Sequence, residues 1–395
     1  MASRMAAATN LDKYQCMFTW HKEIPYPISS HWVVNTVEDK LSCSDCEWSS
    51  VVYHLVLAFE SSRLGKPPAA RDHLLACEDI ISQSQCFLKS GLIDRNLDGI
   101  KHVLYSTWLH LVDKSESFDT FKDYMAEIPI YRKMTPKQKA GVVALHAACL
   151  MEYGAKGNRR AVETIQQAIK YDEHEGHWHF LKAEALRYER LRCISIEERP
   201  PSEEELKSFQ LAHFYDEHTP SHFIGLAASL YDSVKKEVGP SEKREESSRL
   251  YKTALESWPN SVYVNIMCTI GVLTYDYRVR DTKLADRTLG KALRLAPHSS
   301  IVNIVAGIFF KWPNSNERTA TRHFNVAKKR YSSLVDDITN GQFKNYRYAL
   351  MRVISEEAPI DIMSFPSSNG NASGDDDDDD DDEEMFDDYF YTHAF

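Results

Sequence analysis

The sequence has no apolar run long enough to cross a membrane. Its longest run, residues 301–310, has ten residues and includes Asn303, whereas a spanning helix needs about 18 or more. Residues 1–10 contain no apolar core followed by a small-residue cleavage site, so no secretory signal is predicted. We therefore expect an intracellular, cytoplasmic protein with no membrane partner.

Closely spaced cysteines are scarce. Eight cysteines are scattered over 395 residues, which predicts reduced thiols rather than disulfides in an intracellular protein. Only Cys43 and Cys46 have the spacing of one half of a zinc site, and zinc needs four ligands. No second pair follows, so His31, His54 or Cys16 would have to complete the site. We favour a structural thiol pair and keep zinc as the alternative.

Catalytic motifs are also missing. The chain has no Gly-rich phosphate loop with its lysine and no GxSxG nucleophile motif. His174, His177 and His179 crowd one helix start, but residues 177 and 179 point to different sides of a helix, so a solvated turn is expected rather than a metal site. We predict a non-enzymatic protein with no catalytic residue, no cofactor and no metal.

The excess of negative charge comes from one end of the chain. The net charge is −11, but residues 375–388 carry 12 negative charges, so the remainder has a net charge of +1 and holds all 47 Lys and Arg residues. Bulk charge therefore excludes no class of partner.

A repeated pattern organises the rest of the sequence. A small residue is followed by an apolar residue four positions later and by another small residue three positions further on, before a proline. Three copies are Ser208, Ala212, Tyr215 and Pro220; Ser247, Tyr251, Ala254 and Pro259; and Ala285, Leu289, Ala292 and Pro297. The prolines are 39 and 38 residues apart, slightly more than the 34 of a tetratricopeptide repeat.

The same pattern fits three further places. They are Ala70, Leu74 and Cys77; Ala161, Ile165 and Ala168; and Ala320, Phe324 and Ala327. Each follows a predicted helix, residues 51–63, 139–153 and 301–312, that ends at Gly, Pro or Asn. Small residues let the two helices of a pair cross closely, and no pair can bury its apolar stripe alone, so several pairs must stack.

These repeats predict an all-α, right-handed solenoid of about seven tetratricopeptide-like antiparallel helix pairs. We expect a helical N-terminal extension over residues 1–45, the superhelix over 46–357, and a disordered acidic and aromatic tail over 358–395. A loop at residues 193–205 interrupts the fourth pair, and a capping helix at 346–355 closes the array. The first helix of each pair should form the concave surface.

Three passages resemble the interferon-induced proteins with tetratricopeptide repeats. They are residues 16–20 (Cys-Met-Phe-Thr-Trp), 150–191 and 251–310. The resemblance implies a superhelix whose positive inner tunnel takes the 5′ end of RNA in antiviral innate immunity, or a protein adaptor, as in other members of the family.

The resemblance also implies where ligand contacts fall. The family's phosphate-contacting lysine falls at Glu152, and its arginine falls near Tyr188, which Arg187 and Arg190 flank. Its Arg-Tyr pair falls at residues 265–266. Because a carboxylate repels a triphosphate, triphosphate-specific binding is not expected.

The predicted ligand groove combines basic and aromatic residues, since cations neutralise phosphates and aromatic faces stack bases. Its residues are Arg187, Tyr188, Arg190, Tyr275, Tyr277 and Arg278. We expect the basic runs at 159–160 and 328–330 to be solvated helix faces. Two functions stay open: an adaptor that binds a protein or peptide in its groove, slightly favoured, and a sensor of single-stranded or 5′-end RNA.

The acidic tail also has aromatic residues, including Phe386, Tyr389 and Phe395. One interpretation is a solubilising segment. The other is a docking motif that binds a basic protein or the chain's own groove, because a solubiliser needs no aromatic residues.

Overall fold

A computed structural model describes residues 14–20, 29–44, 46–86, 91–112, 128–192, 199–234, 241–274, 281–343, 346, 349, 350 and 353. Helices are the only regular elements in these ranges. They are α1 (Met17–Trp20), α2 (Ser30–Ser42), α3 (Glu47–Arg63), α4 (Pro67–Cys86), α5 (Leu92–Arg95), α6 (Leu97–Val112), α7 (Pro136–Met151), α8 (Gly154–Tyr171), α9 (Gly176–Arg192), α10 (Glu203–Tyr215), α11 (Pro220–Ser233), α12 (Glu242–Ser257), α13 (Val262–Thr274), α14 (Thr282–Leu295), α15 (Ser300–Lys311) and α16 (Glu317–Thr339), with a 3₁₀ turn at Tyr131–Lys133.

Consecutive helices pack as pairs along the chain. The pairs are α3 with α4, α7 with α8, α9 with α10, α11 with α12, α13 with α14, and α15 with α16. Helix α6 matches the first helix of the second pair expected from the sequence, and the second helix expected there, residues 118–128, lies almost entirely outside the described residues. The all-α solenoid predicted from the sequence is thus confirmed.

The repeated pattern marks where the helices of the solenoid cross. Ala254, Ala285 and Ala292 are completely buried. At Gly307 of α15 an added Cβ would lie 2.3 Å from the ring of Phe324. Only glycine allows these two helices to approach so closely, because the aromatic ring cannot move aside.

The fourth pair follows the pattern in a different register from the one we expected. Its buried positions are Glu205, Ser208, Phe209 and Ala212, with Phe209 in the place of the large apolar residue, whereas Tyr215 is half-buried. The proline explains the error: Pro220 occupies the first turn of α11 and does not lie in the preceding loop, as Pro259 and Pro297 do. An alignment on the prolines therefore shifts this copy by three residues.

Two repeats also match in their hydrogen bonds. The side-chain Nδ2 of Asn265 donates to the carbonyls of Pro259 and Ser261 at 2.9 and 2.7 Å. The Nδ2 of Asn303 donates to the carbonyls of Pro297 and Ser299 at 2.8 Å each. Each asparagine therefore fixes a loop against the helix that follows it.

The ends of the described region pack onto the helix pairs. Met17 and Trp20 of α1 are buried, and Trp20 stacks on His146 of α7 with ring centroids 4.4 Å apart. At the other end, the helical residues Leu350 and Val353 are buried.

All described residues belong to one compact unit, Met1–Asp361, and the acidic tail lies outside the described residues. No helix in the described ranges is long and apolar enough to cross a membrane. The domain boundaries expected from the sequence stay predictions.

Candidate ligand-binding cavity

A cavity of about 340 Å³ opens among the first helices of the pairs. Helices α3, α7, α9, α11, α13 and α15 contribute to its wall, together with α2 and one residue of α16. The lining therefore comes mainly from the helices that we expected on the concave surface.

Five aromatic residues line the cavity. Trp48 and Phe180 are buried, whereas Tyr53, Tyr188 and Tyr263 are half-buried and line the cavity. Aromatic side chains in a cavity wall can stack on bases or pack against apolar side chains.

Two buried ion pairs lie at the cavity. Lys40 Nζ is 2.8 Å from Glu152 Oε2, and their side chains are 9% and 7% exposed. Arg330 Nη1 is 2.8 Å from Asp39 Oδ2, and these side chains are 5% and 10% exposed. Lys40, Glu152 and Arg330 all line the cavity.

At this cavity, helix α2 contacts helices that are far from it in the sequence. Asp39 Oδ1 accepts a hydrogen bond of 2.8 Å from the backbone N–H of Ser300, at the start of α15. Cys43 Sγ donates to Ser299 Oγ at 2.8 Å. Together with Lys40 and its partner Glu152, these bonds fix α2 to α7 and to α15.

Arg187 is the third cation in the wall. The residue is 4% exposed, and its Nε has no hydrogen-bond partner among the described residues. Burial by itself lowers the pKa of Arg187, but the carboxylates of Asp232 and Glu184 more than offset it, so the pKa is raised. The nearest of these contacts is 3.8 Å, from Arg187 Nη1 to Glu184 Oε1. Arg187 is therefore charged, buried and only partly satisfied.

Glu184 and Tyr188 lie on the same side of α9 as Arg187. Burial raises the pKa of Glu184, although Arg187 and a hydrogen bond from Tyr188 oppose the shift. Glu184 Oε1 lies 3.8 Å from Arg187 Nη1, which is beyond direct hydrogen-bond distance. The arrangement leaves Arg187 as the cation best able to receive an anionic group.

Arg190 has other partners in the structure. Its Nε and Nη2 donate to Glu205 at 2.9 Å each, and Nη2 also donates to Asp232 at 2.9 Å. These bonds hold α9 against α10 and α11. Arg190 therefore supports the cavity wall but does not line the cavity. The other three predicted groove residues, Tyr275, Tyr277 and Arg278, lie outside the described residues.

Two expectations about solvated residues are wrong. Arg330 belongs to a basic run expected on the surface, yet its side chain is 5% exposed because it turns inward to Asp39. His177 and His179 are 4% and 7% exposed rather than solvated. His177 packs against Trp48 and Phe180, with ring centroids 5.7 and 5.5 Å away.

Cys43 and Cys46 both contribute to the cavity wall, and both are reduced cysteines. Within the described ranges, no three His, Cys, Asp or Glu residues lie together as metal ligands.

Two solved structures share this fold. The human IFIT1 dimer with PPP-AAAA matches at a TM-score of 0.60 and 17% identity, over 89% of this chain and 75% of that chain. The human IFIT1 dimer with m7Gppp-AAAA matches at a TM-score of 0.61 and 16% identity, over 88% and 77%. No family model and no curated protein matches. At these identities the likeness shows the fold, and it confirms the tetratricopeptide-repeat superhelix that the sequence resemblance implied.

Proposed function

We propose that this chain binds the 5′ end of single-stranded RNA in the cavity. The observation that carries this proposal is the buried guanidinium of Arg187, whose Nε lacks a hydrogen-bond partner among the described residues. The shared fold with the human IFIT1 dimers with PPP-AAAA and m7Gppp-AAAA supports it. Such binding would fit the role of a non-enzymatic, cytoplasmic protein in antiviral innate immunity.

Different residues of the cavity wall are suited to contact the phosphate and the bases of an RNA. Arg187 supplies a cation for a phosphate group, in surroundings of low dielectric where the interaction is stronger than in water. Tyr53, Tyr188 and Tyr263 offer faces on which bases stack. The volume of about 340 Å³ lies near the lower limit of small-ligand pockets, ~300–1,000 Å³. We therefore expect the terminal nucleotide inside and the following nucleotides outside.

The test is fluorescence anisotropy with a 12-nucleotide single-stranded RNA labelled at its 3′ end. Arg187→Gln should weaken binding about tenfold or more, since it removes a buried cation from the phosphate. Tyr188→Ala should weaken it less, by the loss of one stacking face. The matched control is Arg159→Gln, because Arg159 is 66% exposed on α8 and pairs with Glu189.

Salt dependence separates this proposal from adventitious binding. Affinity for RNA must fall as salt rises, because phosphate contacts release counterions, and Arg187→Gln should reduce the slope. Equal affinities of Arg187→Gln and Arg159→Gln for RNA would remove the cavity as the binding site. A melting temperature for each variant checks that the protein is folded.

A peptide or another protein is the second candidate ligand. The observation in its favour is that Lys40 and Arg330 are already paired with carboxylates, so the wall carries both signs of charge. A peptide ligand of mixed charge fits such a wall. Capture of a protein partner that persists after nuclease treatment, and that is lost in Tyr263→Ala, would support the adaptor function.

A further inference from the structure

Each cation in the cavity wall has a carboxylate neighbour. Lys40 is 2.8 Å from Glu152, Arg330 is 2.8 Å from Asp39, and Arg187 is 3.8 Å from Glu184. The first two pairs are close and buried. Only the third is too long for a direct hydrogen bond. The carboxylates of Asp232 and Glu205 also act electrostatically on Arg187, but its Nε has no hydrogen-bond partner among the described residues, so Arg187 has the most remaining hydrogen-bonding capacity for an anion.

A 5′ triphosphate brings several negative charges into a space of about 340 Å³. To receive them, the wall would have to release Lys40 from Glu152 or Arg330 from Asp39. The released carboxylates are 7% and 10% exposed, and a buried carboxylate without its partner is strongly unfavourable. The triphosphate would also repel these carboxylates directly. A single phosphate needs only Arg187 and disturbs neither pair.

We infer that the cavity selects RNA 5′ ends of low charge, and that the Lys40–Glu152 pair is the specificity determinant. The preferred class is RNA with a 5′ monophosphate or a 5′ hydroxyl, and the disfavoured class is RNA with a triphosphate or a triphosphate-linked cap. This inference rests on the proposed function, since it concerns RNA in the same cavity.

Glu152 is the residue to change, because its carboxylate serves one pair. It follows the last turn of α7 as the helix C-cap, and its Oε2 lies 2.8 Å from Lys40 Nζ in the cavity wall. Asp39, in contrast, also accepts a hydrogen bond from Ser300, so its removal disturbs the contact between α2 and α15. Glu152→Gln removes the negative charge at nearly constant shape and leaves Lys40 able to bind a second phosphate.

The experiment measures dissociation constants for one RNA sequence with three 5′ ends: hydroxyl, monophosphate and triphosphate. Wild-type protein should bind the triphosphate at least fivefold more weakly than the monophosphate. Glu152→Gln should shift this ratio at least fivefold toward the triphosphate. Glu163→Gln is the matched control and should leave the ratio unchanged, because Glu163 is 68% exposed on α8 and pairs with Arg160.

The outcomes distinguish the inference from the proposed function. RNA binding in which the wild-type protein prefers the triphosphate would overturn the inference and leave the proposed function intact. An unchanged ratio in Glu152→Gln would remove Glu152 as the determinant. Absence of binding to all three RNAs would remove the proposed function and the inference together.

A second measurement does not need RNA. Inorganic tripolyphosphate should leave the melting temperature of the wild-type protein unchanged and should raise that of Glu152→Gln, as a ligand that binds only the folded state does. If Glu152→Gln does not fold, the affinities of the wild-type protein for the three RNAs test the inference. If tripolyphosphate raised the melting temperatures of the wild-type protein and of Arg187→Gln equally, this would contradict the inference that the cavity accepts only low charge and binds it at Arg187.

Discussion

Asp39 and Arg330 lie 291 positions apart in the sequence and form an ion pair of 2.8 Å at the edge of the cavity. Asp39 also accepts the backbone N–H of Ser300, so one carboxylate of α2 binds both α15 and α16. The contact joins the helix that precedes the first pair to the last pair. The cavity wall therefore depends on a contact that no single repeat could form.

Removal of this carboxylate should destabilise the fold. We expect Asp39→Ala to lower the free energy of unfolding by about 3 kcal/mol, because Arg330 would stay buried without its partner. Urea denaturation measures the change. Asp336→Ala is the control: Asp336 is 55% exposed and pairs with Lys328, so we expect a loss below about 1 kcal/mol. Similar losses in the two variants would mean that the Asp39 contact does not hold the array closed.

Overpacking of a helix crossing tests the repeat itself. Ala254 is completely buried, so Ala254→Trp should lower the free energy of unfolding by roughly 1 to 3 kcal/mol. Ala292→Trp should behave alike at the equivalent position. Lys252→Trp, on the exposed side of the helix that carries Ala254, should have little effect on the free energy of unfolding. Unchanged thermal stability in both alanine variants, or circular dichroism typical of strands, would contradict the assignment.

Buried histidines should make the fold acid-sensitive. Burial lowers the pKa of His222 from 6.5 to about 4 and that of His177 well below 6.5, while His222 Nδ1 lies 3.1 Å from the carbonyl oxygen of Asp216. Both pKa values lie below the unfolded value, so between about pH 6.5 and pH 4 the unfolded state binds more protons. Stability should therefore fall as the pH falls through this range, by up to about 1.4 kcal/mol per pH unit for each histidine.

Denaturation at pH 7, 6 and 5 measures this slope. His222→Gln should make the slope shallower, because one proton-binding difference is removed. A stability that stays constant from pH 7 to pH 5 would show that these histidines are accessible to protons in the folded protein.

The acidic tail gives a prediction from the sequence alone. Residues 375–388 carry 12 negative charges beside a nearly neutral repeat region. We expect the residues before it to form a flexible tether, which would hold such a segment at roughly millimolar effective concentration, enough to compete with an anionic ligand. Truncation after Gly374 should raise the affinity for RNA, most at low salt where screening is weakest. Equal affinities of truncated and full-length protein at low ionic strength would exclude self-masking.

The helix pairs were predictable because their signal is local. Ala285, Leu289 and Ala292 have helical spacing and are followed closely by a proline. This pattern alone predicts where two helices cross. The fourth copy shows the limit of the approach, since Pro220 starts a helix there and shifted the expected register.

The candidate site was predictable only in part. Arg187 and Tyr188 were found through the family resemblance, and both line the cavity. Lys40 and Arg330 carry no local signal, because each pairs with a residue at least 112 positions away. Arg330 looks like part of a surface run until the solenoid brings Asp39 to it.

The most direct test of RNA binding in the cavity is photo-crosslinking. A single-stranded RNA with 4-thiouridine at its first position is irradiated with the full-length protein, and the modified residues are mapped by mass spectrometry. The account predicts crosslinks to cavity residues, above all Tyr188 and Tyr263, which Arg187→Gln abolishes and Arg159→Gln preserves. Crosslinks confined to the exposed faces of α14 and α16, with equal yields in the two variants, would contradict it.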